Sequence, residues 1–352
     1  MMKLFTPTEL GRLELRNRVV MAPMTRSRAD QASDVPTDMM REYYQQRASA
    51  GLIITEGTQP SAEGKGYCRT PGIYSSEQIA AWKTITAAVH AEGGQIVLQI
   101  MHCGRVASAA NKAAGVRTVA PSAVAAKGEI FTEQGMLPFD EPEAMSEADI
   151  LQTIDDYRRA TENAFAAGFD GVELHCTSGY LPAQFLSTGS NRRQDEWGGS
   201  LEKRLCFVLE VIKAMTAVDG ADRVGMRICP GNPFNDLHDD NHQETFSALL
   251  QKVDPMGLAY LHVIRMPQLG LDNIGLAKAN YSGALIVNES FDRDEAETVL
   301  DEQIQAVSFG RPFIANPDLV RRYREALALS QINPKTLYTP GEAGYTDYST
   351  FD

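Results

Sequence analysis

His175, Ser178 and Tyr180 fall within a few residues of one another, at and directly after the end of the run Gly171–His175. An imidazole and a hydroxyl so placed can together donate hydrogen bonds to a carbonyl oxygen on a substrate and polarise a conjugated double bond. The phenol can then supply a proton to the carbon beside that carbonyl. A lone histidine at such a place is more often a satisfied core residue, so it is the cluster that points to catalysis. Two arginines extend the list. Arg227 lies near the end of another apolar run, Val224–Ile228. Buried there without a partner, a guanidinium would cost roughly several kcal/mol, so it demands an ion pair or an anionic ligand. Arg311 stands in Phe309-Gly310-Arg311-Pro312 ahead of a helix, where backbone N–H groups and a guanidinium can form a phosphate site. A plain turn with a surface arginine is the competing reading of that second motif.

Several chemistries lack their residues. The chain has no GxGxxG, Walker loop, GxSxG or HExxH. His238 and His242 have metal-ligand spacing with Asp239 and Asp240 between them, but they fall in a polar stretch before a helix, and no metal is expected. The five cysteines (Cys68, Cys103, Cys176, Cys206 and Cys229) are scattered without CxxC spacing, as in reduced cytosolic proteins. A net charge of -13 with no long Lys/Arg cluster argues against nucleic acid as a partner. The opening MMKLFTPTEL lacks the apolar core of a secretory signal, and no run approaches the roughly 18 apolar residues of a bilayer span. A cytoplasmic protein with a small-molecule substrate and no membrane partner is expected; monomer and homodimer are both open.

The elements that must position these residues follow a repeating pattern. Short β-branched runs alternate with longer amphipathic stretches, the signal of βα units around a parallel sheet. The strands are expected at Val19–Met24, Leu52–Glu56, Gln95–Ile100, Gly171–His175, Val224–Ile228, Ala259–Ile264, Ala284–Asn288 and Ile304–Phe309. Helix starts are marked by Ser75–Gln78, Ser146–Asp149, Asn241–Glu244 and Asp292–Glu295, with Asn316-Pro317-Asp318 opening the last helix. Eight such units predict a single α/β domain over 1–352, an eight-stranded parallel (β/α)8 TIM barrel, with an open doubly wound sheet as the alternative. Residues before Val19 read as a hairpin closing the barrel's bottom, turning at Gly11. The Gly- and Pro-rich stretch from Cys103 to Met145 reads as a flap inserted after the third strand, over the mouth. The tail after Pro334 is expected to fold back over the same mouth.

Barrels carry their functional side chains at the carboxyl ends of the strands. There the sequence places Pro23, Met24 and Thr25; Gly57; Gln99 and Met101; the His175 cluster; Arg227; Ser290; and Gly310 with Arg311. Uncharged donors and acceptors with two arginines suit a polar planar heterocycle with a phosphate tail better than a metal. Glu173, Asp236 and Asp239 show no acid/base pairing signal.

Ordered along almost the whole chain, these residues resemble the old yellow enzyme family of flavin-dependent ene-reductases. The resemblance rests on Asn17 to Arg26 (NRVVMAPMTR), Gly64 to Tyr67, Thr70 to Ile73, Gln184 to Ser187, Asn191 to Ser200 and Phe309 to Asp318. It implies non-covalent FMN across the barrel mouth, reduced by NADPH or NADH in ping-pong turnover. In that reading Pro23, Met24 and Thr25 meet the ring edge, Gly57 permits close approach, and Gln99 pairs with the pyrimidine. Arg227 lies beside the ring's N1 edge, while Gly310 and Arg311 hold the phosphate with help from Ser290. His175 and Ser178 grip the substrate oxygen of an enone, enal or maleimide, and Tyr180 protonates its α-carbon. Tyr67, Met101, Phe234 and Tyr345 shape the pocket. Three positions depart from the pattern. Ser178 stands where relatives carry Asn or His, Met101 replaces a tryptophan of some members, and Asn288-Glu289-Ser290 replaces glycines near the phosphate, so Glu289 must point away. Nitro-compound or nitrate-ester reduction, a flavin-free phosphate-binding lyase or isomerase, and a redox sensor acting through Cys103 or Cys176 are the alternatives.

Overall fold

The computed structural model describes residues 2–351. The chain opens with the hairpin β1 (Thr8–Leu10) and β2 (Leu13–Leu15) and continues through β3 (Val19–Met21), α1 (Asp38–Gln46), β4 (Leu52–Ile54), α2 (Ser76–Ala91) and β5 (Ile96–Ile100). A long excursion then carries four short strands, β6 (Val119–Ala120), β7 (Glu129–Thr132), β8 (Gly135–Pro138) and β9 (Glu143–Ala144). The repeat resumes with α3 (Glu147–Ala166), β10 (Gly171–His175), α4 (Leu181–Leu186), α5 (Leu201–Asp219), β11 (Val224–Ile228), α6 (His242–Val253) and β12 (Tyr260–Ile264). It ends in α7 (Asn273–Asn280), β13 (Leu285–Asn288), α8 (Arg293–Val299), β14 (Ile304–Phe309), α9 (Arg311–Ala315) and α10 (Leu319–Glu325).

β3, β4, β5 and β10 to β14 close into one barrel in sequence order, every pair parallel. Closure decides between the two sheet architectures in favour of the barrel. All eight expected strands form; two of them stop early for local reasons. β3 ends before Pro23, which has no N–H to give a ladder. β4 ends at Ile54, and the Glu56 N–H donates to the Tyr44 hydroxyl instead of a neighbouring strand. The helix starts follow their capping side chains: Ser75 and Ser146 form reciprocal capping boxes, while Asn241 and Asp292 accept from backbone N–H groups of the first turn. The last start differs. Asn316 sends its amide to Pro312 O and Ser330 O, and the Asp318 carboxylate accepts from Arg322 rather than capping α10.

The barrel interior is layered. Val20, Leu52, Ile54, Val97, Tyr260, Ile286 and Ala306 fill its lower part against Leu10, Leu13 and Leu15 of the hairpin, which plugs the bottom. Above them lies a polar layer of Gln99, Glu173, His262 and Ser308, all fully buried. At the top, the flap pairs β6 with β9 and β7 with β8, and brings Ile130, Phe131 and Phe139 over the mouth.

The tail also returns to the mouth, held by buried arginines. Arg26 donates to Gly344 O, Arg28 to Thr336 O and Ala343 O, and Arg69 to Tyr338 O. Tyr345 is not delivered to the pocket. It is fully buried behind the barrel, stacked on Tyr43 with ring centroids 4.0 Å apart, and Tyr338 is the tail residue that reaches the cleft.

The plug depends on its turn. Gly11 has φ +59°, and a Cβ there would sit 2.2 Å from Asp222 O. Gly11→Ala is expected to lower stability by at least about 1–2 kcal/mol from the left-handed backbone alone, read as an earlier urea-unfolding midpoint. An unchanged midpoint contradicts the plug's role.

Candidate active site

At the carboxyl ends of the strands lies an elongated cleft with two adjoining lobes of about 540 and 550 Å³, which share Pro23, Thr25, Arg227 and Tyr338. A larger groove of about 1030 Å³ opens near the hairpin, between Glu9, Arg16 and Lys278. That end of a barrel serves stability, so the chemistry belongs to the cleft.

The first lobe gathers Gly57, Tyr67, Gln99, Met101, His175, Ser178, Tyr180 and Phe234. A turn after β10 brings His175, Ser178 and Tyr180 together. Ser178 and Gly179 take φ of +59° and +79°, which folds the chain back so that Tyr180 starts α4 beside its own strand. Gln184 secures the turn, its amide donating to Gly179 O at 2.7 Å and to Cys103 O at 3.0 Å. Asn235, from the loop after β11, donates to Ser178 O at 2.8 Å and to the Tyr67 hydroxyl at 3.4 Å. The Tyr67 and Tyr180 hydroxyls are 3.1 Å apart, and the His175 and Tyr180 rings lie 4.9 Å apart.

Protonation follows from this setting. Burial and the nearby Arg227 charge hold His175 well below the usual imidazole range, so it is neutral, and its buried Nδ1 has no partner. Burial, reinforced by Tyr67, pushes the Tyr180 phenol well up, so it keeps its proton. The Cys103 and Cys176 thiols are both pushed up to about 12 by burial. Buried, protonated thiols are poor nucleophiles, which argues against a redox sensor.

Arg227 joins the lobes. Its Nη2 donates to Asn288 Oδ1 at 2.7 Å, and its buried Nε has no acceptor. Opposite it, the Gln99 amide nitrogen donates to Glu173 at 2.7 Å, which leaves the amide oxygen for a donor in the cleft. A planar ligand with alternating donors and acceptors on one edge fits this pair. Gly57 lines the lobe, and a Cβ there would lie 2.5 Å from Met101 Sδ, so Met101 packs into the room the glycine leaves.

The second lobe is lined by Met24, Ser290, Gly310 and Arg311. Glu289 and Ser290 both have positive φ, +87° and +55°. Arg265 donates to both of their carbonyls, from Nε to Glu289 O and from Nη2 to Ser290 O, and this left-handed turn lets successive N–H groups form an anion-binding nest. Glu289 does not point away. Its carboxylate lines the lobe, lies 3.6 Å from the Arg311 guanidinium and accepts from the Ser290 hydroxyl at 2.7 Å. Arg311 is exposed and pairs with this carboxylate. Of the three residues expected to meet phosphate, the Arg311 and Ser290 side chains are therefore engaged by this one carboxylate.

His238 instead pairs with Asp240 at the surface. The sequence reading missed Asn235, Asn288, Tyr338 and the buried pair of Glu173 with His262, whose Nδ1 lies 2.9 Å from the carboxylate. Two-residue periodicity was the available signal for the last, because Glu173 must share the inward face with His175.

The family described as NADH:flavin oxidoreductase / NADH oxidase matches residues 3–330. A probable flavin mononucleotide-dependent alkene reductase of Leishmania infantum is 42% identical, over 97% of this chain and 96% of that protein. Morphinone reductase solved in complex with tetrahydroNAD superposes with a TM-score of 0.94 at 44% identity, covering 99% of this chain and 98% of that one. The old yellow enzyme homologue from Zymomonas mobilis gives a TM-score of 0.94 at 37% identity, covering 99% of both.

Removing the internal anion should help a phosphate. Glu289→Gln is expected to tighten FMN binding by about fivefold, the worth of one like charge a few ångströms away in a solvated site, measured by flavin-fluorescence quenching. Unchanged or weaker binding contradicts the competition for Arg311.

Proposed function

From the premise that this chain belongs to the NADH:flavin oxidoreductase / NADH oxidase family, we propose that it reduces the carbon–carbon double bond of small activated alkenes such as enones, enals and maleimides. As a member of the old yellow enzyme group it is an FMN-dependent NAD(P)H oxidoreductase with a TIM-barrel fold. That membership sets aside a flavin-free lyase or isomerase. The substrate reading is supported above all by one observation: a neutral imidazole with an unpartnered Nδ1 and a phenol that keeps its proton line the same lobe, their rings 4.9 Å apart.

The cleft fits FMN. Arg227 Nε and the Gln99 amide oxygen would meet the pyrimidine edge, Pro23, Met24 and Thr25 the remaining ring edge, and the Glu289–Ser290 nest with Gly310 and Arg311 the phosphate. FMN, when bound, supplies the hydride chemistry, passing to an alkene β-carbon the hydride it has taken from NAD(P)H. A fixed guanidinium at the edge where reduction places negative charge favours the reduced form.

The chain's own residues then act on the substrate. His175 and Ser178 donate to its electron-withdrawing oxygen, drawing charge away from the double bond. His175 is neutral and has one ring N–H to give. The shorter Ser178 hydroxyl is backed by Asn235, which fixes its backbone. Tyr180 gives its proton to the α-carbon, and its 3.1 Å contact with Tyr67 keeps the hydroxyl aimed into the lobe. Met101, Phe234 and Tyr338 bound the space above, and flap residues with Tyr338 limit water. Both half-reactions use this one cleft, which gives ping-pong turnover. We place the protein in the cytoplasm, as one unit acting on small molecules; among the described residues no helix is long and apolar enough to cross a membrane.

Tyr180→Phe is expected to slow alkene reduction on the order of 10²-fold, the usual worth of a positioned general acid, while leaving FMN reduction by NAD(P)H nearly unchanged in stopped-flow traces. Equal slowing of both half-reactions would contradict the assigned role. His175→Ala should weaken binding of a phenolic ligand at least tenfold, seen as loss of its long-wavelength charge-transfer band. Unaltered affinity removes His175 from the oxyanion grip.

A further inference from the structure

Beneath the cofactor cleft, the barrel holds a carboxylate that the reaction does not touch. Glu173 is fully buried on the inward face of β10, one layer below His175. Its Oε1 accepts from the Gln99 amide at 2.7 Å, and its Oε2 lies 2.9 Å from His262 Nδ1. The other nitrogen of that imidazole lies 2.7 Å from the Ser308 hydroxyl. Four strands, β5, β10, β12 and β14, are thus linked across the barrel by one chain of hydrogen bonds.

The protonation states order the chain. Burial pushes Glu173 up, but the His262 imidazole and the Arg227 charge outweigh it and hold the carboxyl below its usual range. Burial lowers His262, so the ring is neutral. An ionised carboxylate can only accept, so His262 donates from Nδ1 and its Nε2 accepts from Ser308. Gln99 must likewise donate from its nitrogen. An amide that could otherwise flip is held with nitrogen down and oxygen up.

A buried ion persists only when paired and hydrogen-bonded. Glu173 meets that condition with three neutral or cationic neighbours, and in return its charge partly offsets Arg227 in the layer above. We propose that Glu173 is the positioning residue of the cofactor site, orienting the Gln99 amide and moderating the Arg227 charge, and so sets the reduction potential of bound FMN. The proposal rests on the cofactor placement above and adds to it a residue that touches neither cofactor nor substrate.

The test is a potentiometric titration of FMN-loaded wild type and Glu173→Gln. Glutamine keeps the size of the side chain and can still accept from Gln99, while its NH2 donates to His262 Nδ1 once the ring proton moves to Nε2 and faces the Ser308 hydroxyl; the charge is lost and the Gln99 contact is kept. With Arg227 less offset, preference for reduced over oxidised FMN should rise on the order of tenfold, as expected of one charge removed a few ångströms away; for a two-electron couple that is about 30 mV upward. Glu173→Asp, which keeps the charge but draws back from Gln99, should leave the potential near wild type while weakening oxidised FMN binding. In a Gln99→Leu background that loss of affinity should vanish. A Glu173→Gln potential equal to wild type overturns the proposal, and so does an affinity loss that persists without Gln99. If Glu173→Gln does not fold, His262→Leu replaces it, because removing the donor to the carboxylate must also move the potential; no movement overturns the proposal there too. A wild-type chain that binds no FMN would refute the cofactor placement instead, so the two failures are distinguishable.

Discussion

Burying Arg227 inside a barrel is the constraint around which the mouth is arranged. A guanidinium has five donors, and here Nη2 has Asn288 while Nε has no acceptor. A charge left so in a low-dielectric interior is costly unless an acceptor arrives from the cleft. Its influence extends in three directions. Added to burial, its charge holds His175 well below the usual imidazole range, so the ring is neutral. It helps to keep Glu173 ionised in the layer below. It also presents a fixed positive charge to both lobes of the cleft.

The barrel supports that arrangement by dividing labour along its axis. The apolar bottom, plugged by the hairpin, supplies burial. The polar middle layer locks amide and imidazole orientations through charge-assisted hydrogen bonds, which are stronger than neutral ones and directional. The rim then needs few conformational choices of its own. Arginines on the outside repeat the device, since Arg26, Arg28 and Arg69 satisfy tail carbonyls and so hold Tyr338 at the mouth.

Much of this was legible in the residues. Strands buried on both faces leave near-continuous apolar runs, so all eight were placed, and the two that ended early did so at Pro23 and at the Glu56–Tyr44 contact, which only the fold creates. The His175, Ser178 and Tyr180 cluster was legible because a single turn carries it. Contacts between distant segments were not. Nothing near Glu173 announces His262, which lies 89 positions further along the chain. Tyr345 resembled a pocket residue by position, yet the stacking partner that removes it, Tyr43, belongs to α1. Glu289 was expected to turn outward because a phosphate repels it, whereas the exposed Arg311 beside it provides a reason to stay.

Crystallography of the FMN-loaded protein addresses the central claim most directly, through the acceptor found at Arg227 Nε. This account predicts the pyrimidine edge of the flavin within hydrogen-bonding distance of that nitrogen and of the Gln99 amide oxygen. Finding Arg227 Nε satisfied by another protein group, with the ring bound elsewhere or absent from the cleft, would contradict it.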